Sequence, residues 1–410
     1  MTGDWERLRD YLRDRGDEQV AFFADLVRRP SENPPGDLAG HAEASAVLLE
    51  GLGFEVERHA VPAGLVRDAG LVSVTNLVVR LRFGEGPTVA LNAHGDAVPA
   101  GEGWTRPPYG AEIDDGVLYG RAAATSKSDF ATYAFALLAL QAVGPKLAGT
   151  VELHFTYDEE SGGGLGPEWL LAQGITKPDL AICAGLAHGV VVAHNGCLHL
   201  EVRVRGRQAH AALPATGVDA LEAATGVLGA LYEARKGYGQ VRSSVDGIES
   251  PSLVVGRFEG GVNTNVVPDL VALRLDRRLI PEENPGAVEA DLRERIEAAV
   301  AAYPGAAVEV ERLLLAEPLI PTEASTRLGQ TIAAAATEVS GEAVGLHGVP
   351  LYTDARHYAR TGVPTVLYGA GPRTIAEANA HGADEQLRLT DLGLATEVVA
   401  LALSRLLDVG

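Results

Sequence analysis

From residue 76 to residue 193 the apolar positions fall into short, dense runs separated by longer mixed stretches. Runs at 76–83, 88–92, 151–157, 180–184 and 190–193 read as strands, the first two joined by a Gly84-Glu85-Gly86-Pro87 turn. Between them Phe130, Tyr133, Ala134, Leu137 and Leu138 recur at helical spacing, predicting a helix over 128–143 with one apolar face. Upstream, 5–29 reads as one helix stopped by its prolines, and 41–52 as a second closed at Gly53. Strands alternating with helices imply an α/β fold with a largely parallel, helix-covered sheet.

The texture changes near Gly196. Residues 198–204 alternate charged and apolar; a helix (220–235), two strands (252–258, 270–275), a helix (287–302) and a strand (307–313) follow. That order is the ferredoxin-like α+β unit. From 324 the first texture returns, with a strand at 365–368 and a last helix at 391–407. Two domains are therefore expected, 1–196 with 314–410, interrupted by 197–313.

Composition narrows the partners. A formal charge of -21 argues against nucleic acid or an anionic membrane. Two cysteines, Cys183 and Cys197, make no disulfide framework in 410 residues and suit a reducing compartment. The N-terminal stretch lacks a signal peptide's apolar segment, and no apolar run reaches the ~18 residues of a membrane span. A soluble, cytoplasmic protein is expected.

Chemistry collects at two strand ends. The run 89–93 delivers His94 and Asp96, a metal ligand and an orienting carboxylate, or a polar pair capping a strand. The run 151–157 delivers Asp158-Glu159-Glu160, read either as solvated loop acids or as a divided pair. In strand geometry neighbouring side chains diverge, so one glutamate would hold a metal while the other moves protons.

These stretches do not stand alone. They are joined by Leu118-Tyr119-Gly120-Arg121, Gly206-Arg207-Gln208-Ala209-His210 and Asn263-Thr264-Asn265. Asp276-Arg277-Arg278, Thr353-Asp354-Ala355-Arg356 and Ala380-His381-Gly382-Ala383-Asp384-Glu385 complete the set. In this order the sequence resembles the co-catalytic zinc metallopeptidase family of aminoacylases, acetylornithine deacetylases, succinyl-diaminopimelate desuccinylases and carboxypeptidase G. The resemblance implies a zinc-peptidase-like catalytic domain and a lid that dimerises. It makes His94, Glu160 and His381 metal ligands, Asp96 the carboxylate behind His94, and Glu159 the general acid/base. His210, Asn265 and Arg278 would hold the scissile oxyanion and a substrate carboxylate, the histidine across a homodimer interface.

Two positions depart from the family pattern. Thr125 stands where it places an aspartate bridging two metals, and Gly185 where it places another acidic ligand. Asp129 and His188 are the nearby stand-ins. The expected metal content is one divalent ion, zinc, or none. The expected activity is hydrolysis of a small-molecule amide, such as an N-acyl amino acid, a dipeptide-like compound or a specialised metabolite. The alternatives are metal-independent acyl transfer, condensation or elimination through Thr125, Ser126 or Lys127, and a non-catalytic binding protein.

Overall fold

The computed structural model describes residues 2–143, 146–374 and 376–408. Packing divides the chain into two units, 1–192 with 321–347 and 353–410, and 193–320 with 348–352. The second unit therefore begins and ends a few residues outside 197–313 and also takes in 348–352.

The core of the first unit is an eight-stranded sheet whose last two strands run past the unit's bounds at 192 and 347. Its order is Val56–Ala60, Thr75–Arg82, Thr150–Thr156, Thr88–His94, Leu180–Cys183, Thr365–Leu367, Val190–His194 and Leu346–Val349. The centre is parallel: Thr88–His94 runs alongside both Thr150–Thr156 and Leu180–Cys183, and Thr365–Leu367 alongside Leu180–Cys183. Parallel strands need helical crossovers that cover both faces, so these runs are buried on both sides, and in Thr150–Thr156, read from the sequence as alternating, Glu152 and His154 are buried as well. Register sets His94 beside Thr156, so the two acidic and histidine-bearing strand ends emerge together.

Two helices differ from the sequence reading. The stretch 5–29 is split into Thr2–Asp14 and Gly16–Val27 at Arg15-Gly16. Ser128–Val143 is buried on all sides from Ser128 to Leu140, not along one face. It lies between the sheet and the helices Thr2–Asp14, Gly16–Val27 and Leu389–Leu406, and Phe130 stacks on Phe155 at 3.8 Å between ring centroids. A small sheet pairs Gln386–Arg388 with Val117–Tyr119, tying the loop that carries His381 to the chain entering Arg121.

The second unit is a four-stranded antiparallel sheet, ordered Ser252–Gly260, Leu270–Leu279, Gly196–Arg205, Ala307–Ala316, with helices Ala220–Tyr238 and Pro285–Ala301. This is the ferredoxin-like arrangement. Leu198, Leu200, Val202 and Val204 form its core with Leu273 and Leu275. No helix among the described residues is long and apolar enough to cross a membrane.

Candidate active site

The site is organised by one buried carboxylate. Asp96 has no exposed surface. Its Oδ1 accepts the amides of Asp158 (3.1 Å) and Glu159 (3.2 Å), and its Oδ2 accepts the amide of Glu160 (3.1 Å) and Nδ2 of Asn33 (2.9 Å). Burial opposes its charge, but His94, Asn33 and the Glu160 amide hold the carboxyl below its ordinary range. Gly95 is required between His94 and Asp96, because a Cβ there would sit 2.4 Å from the Tyr157 ring.

His94 is oriented by the same segment. Its Nδ1 lies 3.0 Å from the Asp96 carbonyl oxygen, which can only accept, so Nδ1 carries a proton and Nε2 is left for the site. Glu159 and Glu160 lie on a short 3₁₀ turn, Glu159–Ser161, rather than on a strand. They consequently converge instead of diverging: ligand atoms of His94, Glu159 and Glu160 all lie within 4.8 Å of one another. His381 stands one step out, its Nε2 3.4 Å from Glu160 Oε1, on a residue held at φ 63°. Burial pushes the Glu159 carboxyl up, helped by Asp354, Glu160 and Asp96 and opposed by His94.

Several residues of the site were given no role by the sequence, although Arg121, Asp158, Asp354 and Glu385 lie in the matching stretches. Asn33 sits in the proline-rich break after the second helix and joins Asp96 to Ser161 Oγ (2.6 Å). Arg121, 1 % exposed, donates to Glu385 (2.7 Å) and to the Ala100 carbonyl (2.9 Å), and Glu385 also accepts the Ala124 amide (3.1 Å). This buried ion pair fixes the His381 loop to the segment 120–124. Asp158 and Asp354 are both buried and pushed up, first by burial and then, for Asp158, by Asp354 itself. One oxygen of each has no hydrogen-bond partner.

The departing positions have definite surroundings. Thr125 Oγ1 is buried without a partner. A Cβ on Gly185 would lie 2.7 Å from the Tyr368 nitrogen and 2.8 Å from the Leu367 carbonyl carbon, so the backbone leaves no room there for a side chain. His188 is engaged with Asp391, Nε2 to Oδ1 2.9 Å, on the helix Leu389–Leu406. Asp129 is tucked under the chain at Ala370, whose amide it accepts at 2.7 Å, and burial pushes it up to about 8. Ser126 Oγ accepts the His94 amide (3.0 Å) and Lys127 Nζ donates to the Arg29 carbonyl (2.9 Å).

These donors fit one divalent ion. An imidazole and carboxylates within a few ångströms are a borderline-hard ligand set of the kind that holds a divalent ion. At the two departing positions Thr125 offers a neutral oxygen and Gly185 no side chain.

In the second unit His210 and Asn265 are exposed and lie on adjoining segments: His210 bridges Val266, and the Ala211 amide donates to the Asn265 carbonyl at 3.0 Å. Arg278 is half-buried, paired through Nε and Nη2 with Asp276 at 3.0 and 3.1 Å, with Tyr352 beneath it.

Known proteins resemble the chain along nearly its whole length. A succinyl-diaminopimelate desuccinylase of Gluconacetobacter diazotrophicus is 30% identical over 400 residues, covering 95% of this chain and 97% of that protein. Among solved structures, aminopeptidase PepT of Bacillus cereus superposes with a TM-score of 0.73 at 24% identity, covering 95% of this chain and 98% of that one. The YXEP protein of Bacillus subtilis, described as a dinuclear metal-binding peptidase, gives 0.68 at 17%, covering 97% and 99%. The model of peptidase family M20/M25/M40 matches residues 90–405. With its parallel sheet, its acid-rich strand ends and that match in register, the chain belongs to the M20/M25/M40 peptidase family and is a hydrolase of amide bonds.

Proposed function

We propose that the protein cleaves the amide of an N-acyl amino acid or dipeptide-like compound with a free carboxylate, using a centre that holds one divalent ion at most. The observation that carries this reading is the anchoring of three successive amides, those of Asp158, Glu159 and Glu160, on Asp96. It sets a raised-pKa carboxylate beside a tautomerically fixed imidazole, and both belong to amide hydrolysis. His94 and Glu160 would hold the ion, with His381 beside Glu160; when bound, it supplies Lewis acidity at the reacting oxygen.

The chain's own groups then divide the work. Glu159, kept from ionising easily by burial and by neighbouring acids, takes a proton near neutral pH and returns it to the leaving nitrogen. Arg278 offers a guanidinium to the substrate carboxylate, and His210 and Asn265 offer donors to the developing oxyanion. Ser126 and Lys127 are both turned to backbone partners, which favours hydrolysis over a new nucleophile in that segment.

A homodimer through the lid is part of the proposal. Ser252–Gly260 is an edge strand of 9 residues, with Val254 55% and Phe258 40% exposed. An edge of that length is a pairing template that a second copy would cover.

The test is a panel of N-succinyl and N-acetyl amino acids and dipeptides, each with its C-terminal carboxamide. The 30% identical relative makes the N-succinyl compounds the first choice. Turnover of a free-carboxylate member is expected, with its carboxamide poorer mainly in KM. Glu159→Gln should lower kcat by roughly three orders or more. Near-normal turnover by that variant removes the role given to Glu159.

A further inference from the structure

The second unit carries a cluster in which Cys197, His199 and Asp276 have no part in the proposed hydrolysis and lie beside Arg278, which does. Paired residues of an antiparallel sheet share a face, and the register sets Cys197 opposite Arg278 and His199 opposite Asp276. Leu198 and Leu200, one residue off, point to the helices. The four polar residues thus form a block on the sheet face away from Ala220–Tyr238 and Pro285–Ala301. Sequence periodicity alone did not reveal it, because the strand 270–275 read from the pattern stops short of Asp276; the strand runs to Leu279.

Three of these side chains converge on one point. Cys197 Sγ is 3.1 Å from His199 Nε2 and 3.7 Å from Asp276 Oδ1, and His199 Nε2 is 3.2 Å from Asp276 Oδ2. A tetrahedral zinc with bonds of about 2.3 Å to sulfur and about 2.0 Å to nitrogen and oxygen would separate its ligands by roughly 3.3–3.6 Å. The three observed distances, the two to Asp276 ending on different carboxylate oxygens, lie around that length at 3.1, 3.2 and 3.7 Å.

The chemistry of a proton relay does not match. A Cys–His–Asp relay needs the thiol on one ring nitrogen and the carboxylate on the other. Here the same nitrogen, Nε2, faces both sulfur and carboxylate, as lone pairs directed at a common ion would. Cys197 is fully buried, while His199 and Asp276 keep about a third of their side-chain surface, 36% and 31%, so a fourth position is open to water. Arg278 donates to both oxygens of Asp276, through Nε to Oδ1 and Nη2 to Oδ2, and so orients the carboxylate that faces Cys197 and His199. Its positive charge would disfavour an ion there, but a thiolate and a carboxylate together offset a divalent charge.

We propose that Cys197, His199 and Asp276, none of which the proposed hydrolysis uses, form a second-unit site for a thiophilic divalent cation, zinc or cobalt. The test uses the full chain with His94→Ala and Glu160→Ala, so that the catalytic donors cannot contribute. Titration with Co(II) should give one ion per chain and a thiolate-to-cobalt charge-transfer band in the near ultraviolet. Cys197→Ser should abolish the band, and Asp276→Asn should weaken binding by at least about a hundredfold, more than loss of an outer partner does. Circular dichroism of each variant reports the fold; if Cys197→Ser does not fold, the Asp276→Asn titration decides. Absence of the band in the parent, its persistence in Cys197→Ser, or unchanged affinity in Asp276→Asn would each overturn the site.

Discussion

Lys127 shows how tightly single residues are set around this centre. It has no exposed surface, and its ammonium donates to the Arg29 carbonyl. Burial lowers its pKa to about 7, with Glu385 and Asp96 pulling the other way. In the unfolded chain a lysine titrates near 10.4. Between these values the unfolded state binds more protons, so this group makes stability rise with pH from about 7 to about 10 and costs stability most at and below 7. Lys127→Met should therefore stabilise the protein at pH 6, by roughly 1–2 kcal/mol after the orphaned Arg29 carbonyl is allowed for. The difference should shrink by pH 9.5. Thermal melts of both proteins across that range check the sign; a variant less stable at every pH would show that the ammonium is held charged by its acidic neighbours.

The elements were legible where periodicity is long and unambiguous. The central strands, the split α+β unit and the last helix follow from the spacing of apolar residues, because burial on one or both faces dictates that spacing. What failed was local. The break at Arg15-Gly16 leaves the apolar rhythm intact, so nothing in the pattern marks it. Ser128–Val143 looked one-sided because its other faces mix alanine and threonine with only Phe135 and Leu140 as large apolar residues, yet they too are buried, Phe135 against Phe22. The site behaved the same way. His94, Asp96 and the two glutamates are readable at strand ends, but their convergence depends on a 3₁₀ turn and on Asp96 holding three amides, and neither leaves a periodic trace. Gly185 was readable as a missing ligand; that its backbone also excludes any replacement required the packing of Leu367 and Tyr368.

At the scale of the whole molecule, two questions remain linked: how many chains make a site, and how many ions it holds. If His210 acts across a dimer, mixing a His210→Ala chain with a Glu159→Gln chain should regenerate activity in heterodimers that neither homodimer shows. No recovery after verified subunit exchange would confine His210 to its own chain. The ion count follows from charge and space. Two divalent ions a few ångströms apart repel strongly, and a shared carboxylate is what offsets this. Thr125 supplies no charge, and Gly185 has no room for one. In a chain carrying Cys197→Ser, which removes the proposed sheet site, elemental analysis should therefore find at most one metal per chain. Thr125→Asp should raise that uptake, since Oγ1 already lies in a buried pocket without a partner. Gly185→Glu should not, because a Cβ 2.7 Å from the Tyr368 nitrogen must displace the strand end before any carboxylate arrives. It should lower the Tm instead. Two stoichiometric ions in the Cys197→Ser chain would mean that Asp129 swings from the Ala370 amide to complete a second centre, and the double variant Cys197→Ser/Asp129→Asn would then bind one.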